Sequence, residues 1–109
     1  MEIVAIDIGG THARFSIATL ASAGQIVLGD PVTLRTADYV SFRSAWDHYL
    51  ADRARTVPRA VAIAVAAPID GPIIKFTNNP WALYPARLAA ELGIENITLI
   101  NDLLRSGML

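Results

Sequence analysis

The chain has 109 residues, of which 53% are hydrophobic and 17% are charged, and its formal net charge is −1. This length suits one small domain with a modest core, and the absence of a basic block argues against nucleic-acid binding. The sequence contains no cysteine, which excludes disulfides and thiolate metal sites and is compatible with a reducing cytoplasm.

The first predicted elements are three strands joined by short turns. Residues 2–8 (EIVAIDI) are mostly β-branched and apolar, which predicts a strand buried on both faces. Residues 9–11 (GGT), called the glycine turn below, predict a tight turn with glycine at positive φ. A second strand over 13–20 and a third over 25–35, interrupted by Gly-Asp-Pro at 29–31, complete an antiparallel meander.

Helical periodicity follows the meander. Apolar residues recur at positions 42, 45, 46, 49 and 50, which predicts an amphipathic helix capped by Asp38 or Ser41 and ended by Pro58. A buried strand over 59–66 and a short strand over 72–76 come next. Pro85 and Gly93 bracket a second helix, and a last strand covers 97–100.

The order β-β-β-α-β-(β)-α-β combines a meander with helical crossovers. It predicts an α/β domain with a mixed sheet of about five to six strands and flanking helices. We expect residues 1–109 to form the N-terminal small domain of a longer protein, because residues 102–109 (DLLRSGML) resemble a helix that has no stop signal. The second domain is then absent from this sequence.

The glycine turn is the first candidate site. Two glycines let backbone N–H groups approach an anion closely, and Thr11 adds a hydroxyl donor. Arg14 would add positive charge if it points towards the turn, and Asp7 is compatible with a phosphate if Mg²⁺ or its waters lie between them. A plain hairpin turn with a surface aspartate fits the same residues.

Two polar segments are further candidates. Residues 77–81 (TNNPW) offer side-chain amides that suit sugar hydroxyls, although the segment by itself favours a polar loop anchored by Trp81. Asn101 and Asp102 follow the last strand, where open α/β sheets gather ligands. A carboxylate there could accept a proton from an attacking hydroxyl, or it could simply cap a helix.

Other classes of site have little support. His12 and His48 are too separated, and too unsupported by other ligands, to predict a zinc site. The longest apolar run is broken by Pro68 and is too short to cross a membrane, and no charged leader precedes the first strand. We therefore expect a cytoplasmic protein without a membrane or nucleic-acid partner.

Four segments in order resemble the bacterial glucokinase family: VAIDIGGTHARFSIA, AVAAPIDG, FTNNPWAL and LINDLL. The resemblance covers essentially the whole chain and implies the two-domain ribonuclease-H-like fold of actin-like ATPases. It also implies ATP-dependent phosphorylation of glucose at its 6-hydroxyl, with Mg²⁺ as the metal. His12 departs from the asparagine common in the family, and Leu103 departs from a common aromatic residue.

The resemblance assigns roles residue by residue. Phosphate binding falls to Asp7, Gly9, Gly10, Thr11 and Arg14, with Asp7 acting on the metal through bound water. Sugar binding falls to Thr77, Asn78, Asn101 and Asp102, with Asp102 as the general base. The family's later sugar-binding residues and second phosphate loop are not in this sequence, so we expect the chain alone to be inactive.

Two alternatives remain open. The excess of apolar residues also fits a non-catalytic regulatory or self-associating module, for which a homodimer would be one form. A kinase for another sugar of the same superfamily would carry similar motifs.

Overall fold

The computed structural model describes residues 2–21, 24–52, 58–76 and 79–101. Eight strands, two α-helices and a short 3₁₀ turn, Thr36–Asp38, are present in these residues. In chain order the strands and helices are β1 (Glu2–Ile8), β2 (His12–Leu20), β3 (Ile26–Leu28), β4 (Val32–Arg35), α1 (Phe42–Asp52), β5 (Ala60–Val65), β6 (Ile74–Phe76), β7 (Asn79–Leu83), α2 (Pro85–Leu92) and β8 (Asn96–Asn101).

Six strands form one mixed sheet in the order β3-β2-β1-β5-β8, with β4 also paired to β2. The β1–β2 pair is antiparallel, whereas β1–β5 and β5–β8 are parallel. The mixed α/β sheet predicted from the sequence is therefore confirmed. The predicted third strand is split into β3 and β4, which both pair with β2 but in registers that differ by one residue.

The core lies on one face of this sheet. Alternate side chains of β1 and β5 are buried and belong to one apolar cluster with α1 and α2. Phe15 of β2 stacks on Tyr49 of α1 with ring centroids 4.9 Å apart. The prediction that β1 is buried on both faces was wrong, because Asp7 is exposed and Ala5 is only half-buried.

Local chemistry predicts the start of α1 and both ends of α2. The Ser44 N–H donates to the Ser41 hydroxyl at 3.2 Å, which identifies Ser41 rather than Asp38 as the cap of α1. Gly93 ends α2 with φ of 70°, a left-handed conformation that favours glycine. None of the helices in the described ranges is long and apolar enough to cross a membrane.

One strand was not predicted from the sequence. Residues 77–81 were interpreted as a polar segment, but residues 79–83 form β7, which pairs with β6 in a separate two-stranded hairpin. Pro80 argued against a strand, because it has no N–H to donate. It is tolerated here because the hairpin register shifts beside it and its side chain is exposed.

Candidate functional site

Three parallel strands bring their carboxyl ends to one edge of the sheet. Ile8 of β1 is paired with Val65 of β5, and Val65 is paired in turn with Asn101 of β8. Two strand spacings separate Ile8 from Asn101, or about 10 Å. The glycine turn follows Ile8 directly, so it lies at the same edge as Asn101. This edge is where ligands bind in open α/β sheets.

The glycine turn is held through its carbonyl groups. The Gly9 carbonyl accepts a hydrogen bond from Asn79 Nδ2 at 3.2 Å. The Gly10 carbonyl accepts from the Thr36 hydroxyl at 3.0 Å, and the Thr11 carbonyl accepts from the Thr36 N–H at 2.9 Å. Residues far away in the sequence therefore help to hold the turn, together with a local bond from the Gly9 N–H to the His12 carbonyl at 2.9 Å.

The glycines of the turn do not adopt the conformation expected for them. Positive φ occurs in the described residues only at Gly24 and Gly93, so the prediction of a left-handed glycine at 9 or 10 was wrong. A Cβ added to Gly9 would lie 3.6 Å from the His12 carbonyl oxygen, which is an ordinary contact. Neither the backbone conformation nor the packing of the described residues requires glycine at position 9.

A shallow cavity of about 410 Å³ adjoins the turn. It is lined by Gly10, Thr11, His12, Arg35, Thr36 and Ala37. Inside it the Thr11 hydroxyl and His12 Nδ1 are hydrogen-bonded at 2.9 Å. Arg35 brings a positive charge to this cavity because β4 pairs His12 with Arg35.

Arg35 was missed in the sequence, where it lies 24 positions from Thr11 and only the β2–β4 register brings it close. Arg14, the cation proposed from the sequence, is exposed on β2 opposite Asp7 of β1 and does not line the cavity. Its proposed contact with a phosphate stays a prediction.

The remaining candidates divide into two groups. Asp7 and Asn101 lie at the carboxyl ends of β1 and β8, and both are exposed. Thr77, Asn78 and Asp102 lie outside the described residues. Their neighbours do lie at the site, because Asn79 bonds to the glycine turn and Asn101 ends β8 at the same edge.

The residues described here do not include three metal-ligating side chains in one group. Asp7 provides a carboxylate near the carboxyl end of β1, two residues before Gly9. One carboxylate suits Mg²⁺ that is carried in by phosphate oxygens and keeps several of its waters, rather than a metal held in a protein cage.

Comparison with known proteins gives a consistent result. A family model described as glucokinase matches residues 4–108. A glucokinase of Zymomonas mobilis is 51% identical over 102 residues, covering 94% of this chain and 32% of that protein. A glucokinase of Brucella abortus is 44% identical over 96 residues, covering 88% of this chain and 27% of that protein.

A solved structure agrees with the sequence relatives. The crystal structure of a glucokinase from an Antarctic psychrotroph superposes with a TM-score of 0.83 at 31% identity, covering 93% of this chain and 32% of that one. The chain thus spans about a third of the length of the relatives it matches.

Proposed function

The chain belongs to the glucokinase family, and on that premise we propose that it supplies part of the active site of an ATP-dependent glucose kinase. Its part consists of one phosphate-binding turn, one wall of the sugar site and the general base. The observation that carries the proposal is the strand register, which brings the glycine turn and Asn101 to the same edge of the sheet.

The glycine turn and the cavity beside it suit the phosphates of ATP. Position 9 has space for a close approach, and Thr11 and Arg35 line the cavity next to it. Phosphoryl transfer depends chiefly on positioning and on neutralising the charge of the oxygens. Mg²⁺ bound to those oxygens supplies further neutralisation, and Asp7 would hold its waters.

Asp102 follows Asn101 directly in the chain and is the proposed general base. Its carboxylate accepts the proton of the glucose 6-hydroxyl while the hydroxyl oxygen bonds to the γ-phosphorus and the bond to the ADP oxygen breaks. Asn101, Thr77 and Asn78 hold the sugar through hydrogen bonds. The products are glucose 6-phosphate and ADP, and the reaction takes place in the cytoplasm.

The test uses an extended enzyme, in which this chain replaces the matching N-terminal segment of the Zymomonas mobilis glucokinase. We expect glucose-dependent release of ADP by the extended enzyme and none by the 109-residue chain alone. Asp102→Asn in the extended enzyme should lower kcat by about 10²- to 10⁴-fold, the usual contribution of a general base. Asp30→Asn, at an exposed aspartate outside the site, is the matched control.

A substrate panel on the same protein distinguishes glucose from other sugars. The assignment to glucose is contradicted if another hexose gives a higher kcat/KM. The general-base role is contradicted if Asp102→Asn keeps most of its kcat.

One observation favours self-association as a second candidate function. Leu20, Ile26, Val27 and Leu28 are exposed at 50%, 69%, 55% and 64%, although all are large and apolar. Leu20 and Ile26 also line an apolar cavity with Ile3 and Ala18. Sedimentation of the chain tests this candidate, and a monomer at all concentrations would exclude it.

A further inference from the structure

Two buried polar side chains are unexplained by the proposed roles. Thr36 is 2% exposed and Asn79 is 7% exposed, and in the part of the chain that the structure describes every other buried residue is hydrophobic. Burial of a hydroxyl or an amide is costly unless its hydrogen bonds are made. Both side chains make those bonds to the same place, the carbonyl groups of the glycine turn.

The orientation of the Asn79 amide group is fixed on both sides. Its Oδ1 accepts the Trp81 N–H at 2.9 Å, so its Nδ2 is the atom that donates to Gly9. Trp81 is buried, and its Nε1 donates to the Tyr39 carbonyl at 2.9 Å. The Tyr39 N–H in turn donates to the Thr36 carbonyl at 3.3 Å. Hydrogen bonds therefore connect Asn79 to Thr36 through Trp81 and Tyr39.

This network determines where the N–H groups of the turn point. A trans peptide unit places its C=O and the following N–H on opposite sides, and the described residues have no cis peptide bond. Because the Gly9 carbonyl faces Asn79, the Gly10 N–H faces away from Asn79. Because the Gly10 carbonyl faces Thr36, the Thr11 N–H faces away from Thr36. Donors fixed before a ligand arrives bind an anion without further ordering.

We propose that Thr36 and Asn79 are positioning residues, which hold the peptide planes of the glycine turn in the orientation that binds the phosphates of ATP. The proposal rests on the proposed function, because it needs ATP at this turn. Neither side chain touches the substrate. Each acts through the carbonyl that it binds.

Isosteric substitutions of Thr36 separate positioning from packing. In the extended enzyme, Thr36→Val keeps the shape and removes the hydroxyl, which leaves the Gly10 carbonyl without its donor. We expect the KM and Kd for Mg·ATP to rise about tenfold, with the KM for glucose within twofold of wild type. Thr36→Ser restores the hydroxyl and loses only a methyl group, so it should bring the Kd for Mg·ATP back to the wild-type value.

Asn79→Ala is the second variant. We expect a rise of about tenfold or more in the Kd for Mg·ATP, because the Gly9 carbonyl loses the donor that Asn79 provides. Thr33→Val is the control, since Thr33 is exposed on β4, the strand that pairs with β2. Near-ultraviolet circular dichroism establishes that each variant is folded before its Kd is measured by calorimetry.

The outcomes separate this proposal from the proposed function. A wild-type Kd for Mg·ATP in Thr36→Val overturns the positioning role, and so does an equal loss in Thr36→Ser, which would indicate packing. An extended enzyme that binds Mg·ATP but transfers no phosphoryl group to glucose overturns the proposed function. The Kd values of Thr36→Val and Thr36→Ser for Mg·ATP then still decide the positioning role. An extended enzyme that binds no Mg·ATP overturns both.

Discussion

The two ends of β2 differ in how their turns are held. At the His12 end, the glycine turn has its carbonyls bound by Thr36 and Asn79 from distant parts of the chain. At the Leu20 end, two local hydrogen bonds are present: the Ala21 N–H donates to the Gln25 carbonyl, and the Gly24 N–H donates to the Ala21 carbonyl. Gly24 adopts φ of 80° there.

Glycine therefore has a different physical reason in each turn. Gly24 is needed for its backbone conformation, since φ of 80° strains any other residue. Gly9 has no such need, and its Cβ would meet only an ordinary contact. The end that is held by Thr36 and Asn79 adjoins the cavity that Arg35 lines, and the other end exposes apolar side chains.

Among the variants that test this difference between the two turns, Gly9→Ala in the extended enzyme should have the largest effect. The new methyl group fits the fold but occupies the space into which a phosphate must come. We expect kcat/KM for ATP to fall by about 10²-fold, comparable to the loss of one oxyanion donor. Steady-state kinetics measure this, and an unchanged thermal midpoint shows that the fold is intact. Wild-type kinetics would mean that no phosphate approaches Gly9.

A smaller effect is expected from Gly24→Ala, and it should fall on stability rather than on kinetics. Forcing alanine into the left-handed region should lower the free energy of unfolding by about 1 kcal/mol. The KM for ATP should not change, because this turn lies at the far end of β2. Urea denaturation of the variant and the wild type measures the loss. A kinetic defect without a stability defect would reverse the roles assigned to the two turns.

The smallest effect on the fold is expected from Val27→Lys. Val27 is 55% exposed on β3, at the edge of the sheet. A surface substitution of this kind changes the free energy of unfolding by less than about 0.5 kcal/mol, and a lysine on an edge strand opposes pairing with another chain. Sedimentation should show weaker self-association than in wild type. Equal association would place the contact elsewhere.

Periodicity and turn chemistry predicted much of the fold. The 3.6-residue spacing of α1, the Pro85 and Gly93 boundaries of α2 and the break at 29–31 are local signals, and each was confirmed. The strand at 79–83 was missed, since Pro80 is a local signal against a strand and only pairing with β6 overrides it.

The candidate site was predictable only in part, for a related reason. The position of Asn101 follows from local sequence, because it ends the last strand. Arg35, Thr36 and Asn79 come to the glycine turn through strand register and the β6–β7 hairpin, which no spacing in the sequence reveals. The role given to glycine at positive φ failed because the Gly9 and Gly10 carbonyls are held by side chains from outside the turn.

The most direct test of the account locates the phosphates on the glycine turn. The chain has 7 glycines, and segmental ¹⁵N-glycine labelling of this chain within the extended enzyme makes each a reporter. On addition of Mg·ATP, we predict large amide shift changes at Gly9 and Gly10 and none at Gly24 or Gly29. Unchanged Gly9 and Gly10 signals in an enzyme saturated with Mg·ATP would contradict the account.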